Sequence, residues 1–77
     1  MEQLRLRDLQ PGQKAVIRSL ELPTGMRRRL CDMGLVENTP VECLGVSPGG
    51  DPKAFLIRGV AIALRGADSG QIRVERG

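Results

Sequence analysis

Cys31 and Asp32 are adjacent side chains whose types could bind a transition metal. A thiolate and a carboxylate are only two ligands, whereas iron and zinc sites normally take at least three from protein. The chain has no histidine, and its second cysteine, Cys43, lacks the CxxC spacing of a zinc ribbon. The sequence therefore predicts no tight transition-metal site, with Cys31 and Asp32 as candidates for a weak one at most. An inert, structural cysteine is the competing interpretation of Cys31.

Catalytic groups are also missing. Without histidine, no serine or cysteine has an evident base partner. The glycine-rich segment 47–52 joins two predicted strands, whereas a phosphate-binding loop leads into a helix N-terminus. We therefore expect no enzymatic activity and no intrinsic cofactor.

Arg27, Arg28 and Arg29 form the strongest local charge feature of the chain. Two interpretations are open. The arginines could belong to a solvated helix face, with Arg28 paired to Asp32 one helical turn later. Alternatively, they could contact a partner or a phosphate group, because the planar guanidinium pairs well with carboxylates and phosphates.

A short helix over residues 24–34 is predicted to carry these arginines. Thr24 can cap the N-terminus, and Gly34 can adopt the left-handed conformation beyond the end. Met26, Leu30 and Met33 fall on one narrow apolar face at 100° per residue. We expect this helix to pack on a sheet.

The rest of the chain shows period-two alternation between glycines and prolines, which predicts short strands. The predicted strands are 14–20, 40–46, 53–58, 61–66 and 71–75. Five short strands and one helix bury their edges best in a small, partly open β-barrel. The predicted core consists of Ile17, Leu30, Met33, Val41, Phe55, Ile57, Leu64, Ile72 and Val74.

The pairing of the second and third strands is predicted by placing opposite charges across from each other and keeping the apolar faces on the same side. Glu42 is expected opposite Arg58, and Gly45 opposite Phe55. Residues 59–60 are expected to form the next turn, with glycine first. An outward-facing apolar group would then lie on these strands, and the N-terminal leucines are expected to cover it: Leu44, Val46 and Leu56 beneath Leu4, Leu6 and Leu9.

The length and composition of the chain indicate its broad class of protein. The chain has 77 residues and a net charge of +3, which suits a single domain over residues 1–77. Its longest apolar run, 60–64, is far too short for direct membrane insertion, and the N-terminus lacks the apolar core of a signal peptide. Aromatic residues amount to one phenylalanine, which offers nothing for stacking on nucleic-acid bases. We expect a soluble, cytoplasmic domain that binds no nucleic acid.

The order of several short motifs resembles the FeoA family, the small proteins of bacterial ferrous iron uptake. No single motif is specific, but together they cover residues 9–74; Asn38 stands where the family usually has glycine. The motifs are Leu9-x-Pro11-Gly12-Gln13, Arg29-Leu30-x-Asp32-Met33-Gly34-Leu35, Val41, Pro48-Gly49-Gly50-Asp51-Pro52, Ala63-Leu64-Arg65 and Ile72-x-Val74.

The resemblance implies a mainly β fold, a small five-stranded SH3-like barrel with one short α-helix between the first and second strands. It also implies a non-catalytic accessory or regulatory protein that interacts with the cytosolic part of FeoB, the membrane ferrous-iron transporter. The alternatives are a nucleic-acid-binding small barrel and a metal-sensing module like the one that closes some iron-dependent repressors.

The helix and the segment leading into it are the predicted docking site for that partner. Leu22 and Pro23 are apolar residues expected to be exposed in a loop, and the arginines do not serve the helix dipole. The predicted partner-binding residues are Leu22, Pro23, Met26, Arg27, Arg28 and Arg29.

Overall fold

A computed structural model describes residues 4–76. It contains six β-strands, one 3-10 turn and two helices. The elements in chain order are β1 (Leu4–Arg5), the 3-10 turn (Leu6–Asp8), β2 (Lys14–Leu20), α1 (Thr24–Asp32), β3 (Pro40–Val46), β4 (Lys53–Ile57), β5 (Val60–Leu64), α2 (Gly66–Ser69) and β6 (Ile72–Glu75).

The six strands form one antiparallel sheet in the order β1-β6-β2-β3-β4-β5. The five predicted strands are confirmed to within two residues at their ends. The sixth, β1, is only two residues long and pairs with β6, with Leu4 opposite Val74. A strand of two residues shows no alternation, so the sequence does not predict β1. The single-turn helix α2 is also too short to be recognised from its sequence.

The inward faces of the strands are as predicted. Exposed or half-buried polar side chains fix the phase of each strand, and their apolar neighbours meet in one core. Phe55 at its centre is fully buried. The buried apolar residues are Leu6, Leu9, Ala15, Ile17, Leu22, Leu30, Leu35, Val41, Cys43, Phe55, Ile57, Ile62, Leu64, Ile72 and Val74.

Met33 is not part of this core, contrary to the sequence prediction. Helix α1 ends at Asp32, and Met33 caps it with 44% of its surface exposed. Gly34 then adopts a φ of +105° and reverses the chain. The Leu35 amide donates to the Leu30 carbonyl at 3.0 Å, and Leu35 is fully buried. The reversal after the helix therefore places Leu35, not Met33, against the core.

The start of α1 also differs from the prediction. Thr24 is already helical, and Pro23 occupies the N-cap position without a side-chain hydrogen bond. The Pro23 carbonyl accepts from the Arg27 amide at 2.9 Å, which is the first helical hydrogen bond. Proline is compatible with a helix start because its φ is fixed near the helical value, but it offers no side-chain oxygen to the free amides of the first turn, as a capping threonine would.

The predicted pairing of β3 with β4 is wrong in register. Glu42 lies opposite Leu56, and Gly45 lies opposite Ala54 rather than Phe55. The pairing shifts by one residue between Cys43 and Gly45. A bulge of this kind adds an unpaired residue that matching of charges across the strands does not reveal.

The turn between β4 and β5 is one residue earlier than predicted. Arg58 and Gly59 are its central residues, both with positive φ, and Val60 pairs with Ile57. Positive φ at both positions is the requirement of a type I′ turn. Asn38 also has a left-handed backbone, with a φ of 68°, which asparagine tolerates better than most residues other than glycine.

The N-terminal leucines do not cover the outer face of the sheet. Leu6 and Leu9 are buried in the core, whereas Leu44 is 44% and Val46 is 39% exposed. Lys53 holds the N-terminal segment in place, since its ammonium donates to the Arg7 carbonyl at 2.6 Å and the Leu9 carbonyl at 2.9 Å. The predicted cover is therefore wrong, and the outer face remains open.

Candidate functional site

Helix α1 presents Arg27, Arg28 and Arg29 to solvent, and we call these three side chains the arginine surface. Among residues 4–76, no carboxylate lies within ion-pair distance of any of them. The Arg28–Asp32 pair, which would have neutralised one charge locally, is not formed in this part of the chain. The arginine surface is a cluster of charges that the described fold leaves uncompensated.

Apolar contacts fix the helix beneath these charges. Leu30 is buried, and Met26 is half-buried and packs against the core. Leu22, predicted as an exposed anchor for a partner, is only 6% exposed. The short connection between β2 and α1 turns this leucine inward, so it anchors the helix instead. Pro23 is exposed, as predicted.

The segment before α1 is held by Glu21. Its backbone amide donates to the Gln71 carbonyl at 2.7 Å, and Arg5 Nη1 donates to its Oε1 at 2.9 Å. This hydrogen bond from Arg5 lowers the pKa of the Glu21 carboxyl, partial desolvation opposes it, and the charge of Arg5 and a hydrogen bond from Ser19 assist it. The ion pair thus joins the segment that leads into α1 to β1.

Replacing Arg5 with methionine is expected to raise the pKa of Glu21 towards its ordinary value. Because the folded-state pKa is lowered, the pair stabilises the fold above the unfolded-state pKa and stops doing so as the pH falls through the folded-state pKa. The Arg5→Met variant should therefore approach the wild-type stability at acidic pH. Carbon-13 NMR titration of the Glu21 carboxyl measures the shift, with Arg76→Met as a control of equal charge. An unchanged Glu21 titration in Arg5→Met would contradict the assignment.

The two candidate metal ligands lie beside the arginine surface. Cys31 is half-buried and Asp32 is exposed. Within residues 4–76, no group of three or more potential metal-ligating side chains is assembled, at these two residues or elsewhere. Cys43 is buried in the core.

No helix in the part of the chain that the structure describes has the length and apolar character needed to cross a membrane.

The outer face of β3, β4 and β5 carries a groove that the sequence analysis did not identify. Its volume is about 280 Å³. Small residues on successive strands form its floor, because Gly45 lies opposite Ala54 and Ala54 lies opposite Ala63. Glycine and alanine at alternating positions could have indicated the groove, but only with the correct register. Its lining residues are Gly45, Val46, Ser47, Pro52, Ala54 and Ala63.

Known proteins share this architecture. The chain is similar to the FeoA protein of Chlorobium tepidum, with 30% sequence identity and a TM-score of 0.91 over 95% of this chain and 70% of that one. It is also similar to the zinc-complexed FeoA of Stenotrophomonas maltophilia, described as an SH3 domain protein, with 26% identity and a TM-score of 0.82 over 94% of this chain and 89% of that one.

A likeness in fold extends to a more distant protein. T. acidophilum IdeR shares 19% identity and a TM-score of 0.84 over 100% of this chain and 35% of its own, which indicates a common fold alone. No curated protein matches the sequence. The family model for the FeoA domain matches residues 4–76. This match spans every described residue, and the barrel is the SH3-like one seen in the solved relatives; the chain belongs to the FeoA family.

Proposed function

We propose that this protein is a non-catalytic, cytoplasmic accessory factor of ferrous iron uptake that docks on the cytosolic part of a FeoB-type transporter. Membership of the FeoA family supports the link to iron uptake. The relative from Stenotrophomonas maltophilia is described in connection with activation of bacterial ferrous iron transport. The absence of histidine from the sequence supports a role without acid–base catalysis.

The observation that carries the docking proposal is the arginine surface. The three arginines lie on a helix that the buried side chains of Leu22 and Leu30 hold in place. The helix therefore loses little conformational entropy when a partner binds. Arginine is enriched at protein interfaces, where its planar fork forms paired hydrogen bonds with carboxylates. Pro23 is exposed beside the arginines, and half-buried Met26 adds an apolar flank. The surface therefore suits an acidic patch on a folded partner.

Reversing the charge of Arg27 and Arg28 together tests this site. The variant with both residues changed to glutamate should bind the transporter's cytosolic part about a hundredfold more weakly, because carboxylates would then face carboxylates. Both side chains face solvent, so the free energy of unfolding should stay within about 0.5 kcal/mol of wild type. Titration calorimetry measures the first effect, and chemical denaturation measures the second.

The matched control reverses Lys14 and Arg76, two exposed cations outside α1. It changes the net charge by the same amount and should retain most of the affinity. Equal weakening by both double variants would indicate nonspecific attraction to the overall charge. Wild-type affinity in the Arg27 and Arg28 variant would remove the arginine surface as the docking site.

A further inference from the structure

Strand β5 is an unprotected edge of the sheet. It pairs with β4 on one side, and among residues 4–76 no strand pairs with it on the other. Edge strands offer backbone amides and carbonyls to any extended chain that can reach them. No proline or charged residue lies within β5, whose sequence is Val-Ala-Ile-Ala-Leu. The edge therefore lacks, inside the strand, the features that usually block strand addition.

The backbone groups that face outward can be identified from the hairpin. Ile57 and Val60 close a two-residue turn and so exchange hydrogen bonds with each other. Hydrogen-bonded and non-hydrogen-bonded pairs alternate along an antiparallel ladder. Ala61 and Ala63 consequently direct their amides and carbonyls away from β4. No described backbone group outside the sheet bonds to either residue.

The groove on the outer face begins at this same edge. Its floor is the row of Gly45, Ala54 and Ala63, which crosses three strands and ends at β5. A residue paired with Ala63 on an added strand would point its side chain to the same face as Ala63. A long apolar side chain at that position would lie along the row, with Val46 as a wall. The groove thus selects a long apolar side chain on the added segment, and the strand edge selects an extended backbone.

An exposed arginine lies at one end of the edge. Arg65 follows the last residue of β5 and, within residues 4–76, forms no ion pair. Asp51 lies near this end, but its Oδ1 accepts the Gly66 amide at 2.7 Å. At the other end, the side-chain stem of Arg58 lies against Gly34 beyond α1. The charge of Arg65 favours an added segment that carries a carboxylate at this end.

A second copy of the chain fits this edge less well. A symmetric β5–β5 pair centred on Ile62 would set Ala61 of one copy opposite Ala63 of the other. An alanine side chain is too short to lie along the groove, and this pairing brings no carboxylate to Arg65. The occupant that the groove and Arg65 favour is therefore a segment of a different protein.

We propose that β5 accepts an extended acidic segment of another protein, which adds to the sheet as a further strand and lays one long apolar side chain along Gly45, Ala54 and Ala63. Main-chain hydrogen bonds to Ala61 and Ala63 supply the attachment, as in other cases of strand addition. This site lies on β3–β5 and does not depend on the arginine surface of α1. It gives the protein a second docking surface, for an unfolded or flexible segment.

A short synthetic peptide, with glutamate at both ends and alternating threonine and leucine between them, serves as the probe. Amide hydrogen exchange followed by NMR gives the decisive signature. Ala61 and Ala63 amides should exchange rapidly in the free protein and become protected when the peptide is added. The amides of Val60 and Ile62, which already bond to β4, should change little.

Three variants sharpen the test. Ala63→Pro removes an outward amide without breaking a bond to β4 and should weaken peptide binding about tenfold. Ala63→Ser keeps that amide and should bind like wild type. Arg65→Gln should weaken binding about threefold and reduce its salt dependence. The double charge reversal of Arg27 and Arg28 should leave peptide binding unchanged, which separates this site from the proposed transporter site.

Other outcomes overturn the proposal. Absence of peptide binding, or protection that spares Ala61 and Ala63, would exclude strand addition at β5. Equal affinity of the Ala63→Pro and Ala63→Ser variants would do the same. A concentration-dependent dimer in wild-type protein that Ala63→Pro dissociates would assign the edge to a second copy of the chain instead.

Discussion

Replacing Phe55 with alanine is expected to destabilise the fold by about 3–5 kcal/mol. Phe55 is fully buried and pairs with Cys43 on one side and Ile62 on the other, so its ring joins three strands. Truncation removes apolar contacts and leaves a cavity that the surrounding strands cannot fill. A domain of this size has a total stability of only about 4–12 kcal/mol, so the loss is a large share of it.

Chemical denaturation monitored by far-ultraviolet circular dichroism measures this effect, because the chain contains neither tryptophan nor tyrosine for fluorescence. Phe55→Leu keeps most of the apolar volume and should stay folded with a smaller loss. Leu44→Ala, at a position 44% exposed, serves as the control. If Phe55→Ala unfolds at the wild-type denaturant concentration, the central position of the ring is wrong.

Leu35→Ala is expected to cost about 2–5 kcal/mol, whereas Met33→Ala should change stability by no more than about 0.5 kcal/mol. The two residues lie on opposite sides of the chain reversal at Gly34, and only Leu35 is buried. Leu35 also takes part in the cap of α1, because its amide bonds to Leu30. Its loss should therefore loosen the last turn of the helix as well as the core.

Thermal unfolding of the two variants distinguishes the burial seen in the structure from the burial that helical periodicity predicts. Periodicity alone places Met33 inward and predicts the larger loss there. Equal losses, or a larger loss for Met33→Ala, would contradict the chain reversal at Gly34. Proton chemical shifts of the Leu35 methyl groups provide an independent check on its burial.

The five predicted strands could be recognised because each contains or adjoins a polar residue that fixes the phase of the alternation. Arg18, Glu42 and Arg73 each assign their apolar neighbours correctly to the core. Such patterns depend on residues adjacent in sequence, and the physical requirement to keep charge in water acts locally. The position of α1 between β2 and β3 could be predicted for the same reason, because the spacing of apolar residues along a helix is also a local pattern.

Features that depend on distant parts of the chain could not be predicted in this way. The bulge between Cys43 and Gly45 is a relation between two strands, and pairing rules applied residue by residue do not contain it. The sequence shows that Leu6 and Leu9 are apolar, but it does not show which side of the sheet they cover. Burial of both in the core leaves Leu44 and Val46 open to solvent.

The candidate site was predicted in part for the same reasons. Exposure of Arg27, Arg28 and Arg29 follows from their charge, and the structure agrees. Burial of Leu22 depends on the direction in which the chain leaves β2, which sequence pattern does not specify. The groove ending at Ala63 required the register of three strands, so it emerged only from the structure.

The position of β6 between β1 and β2 has a consequence for folding during synthesis. Both β1 and β2 emerge from the ribosome early, yet the strand that separates them is made after all the others. Until then, the inward side chains of β2 lack the covering that Ile72 and Val74 provide. Contacts between elements so far apart in sequence form late and slowly. A nascent or truncated chain ending before residue 72 should therefore expose unpaired strand edges and recruit chaperones or aggregate.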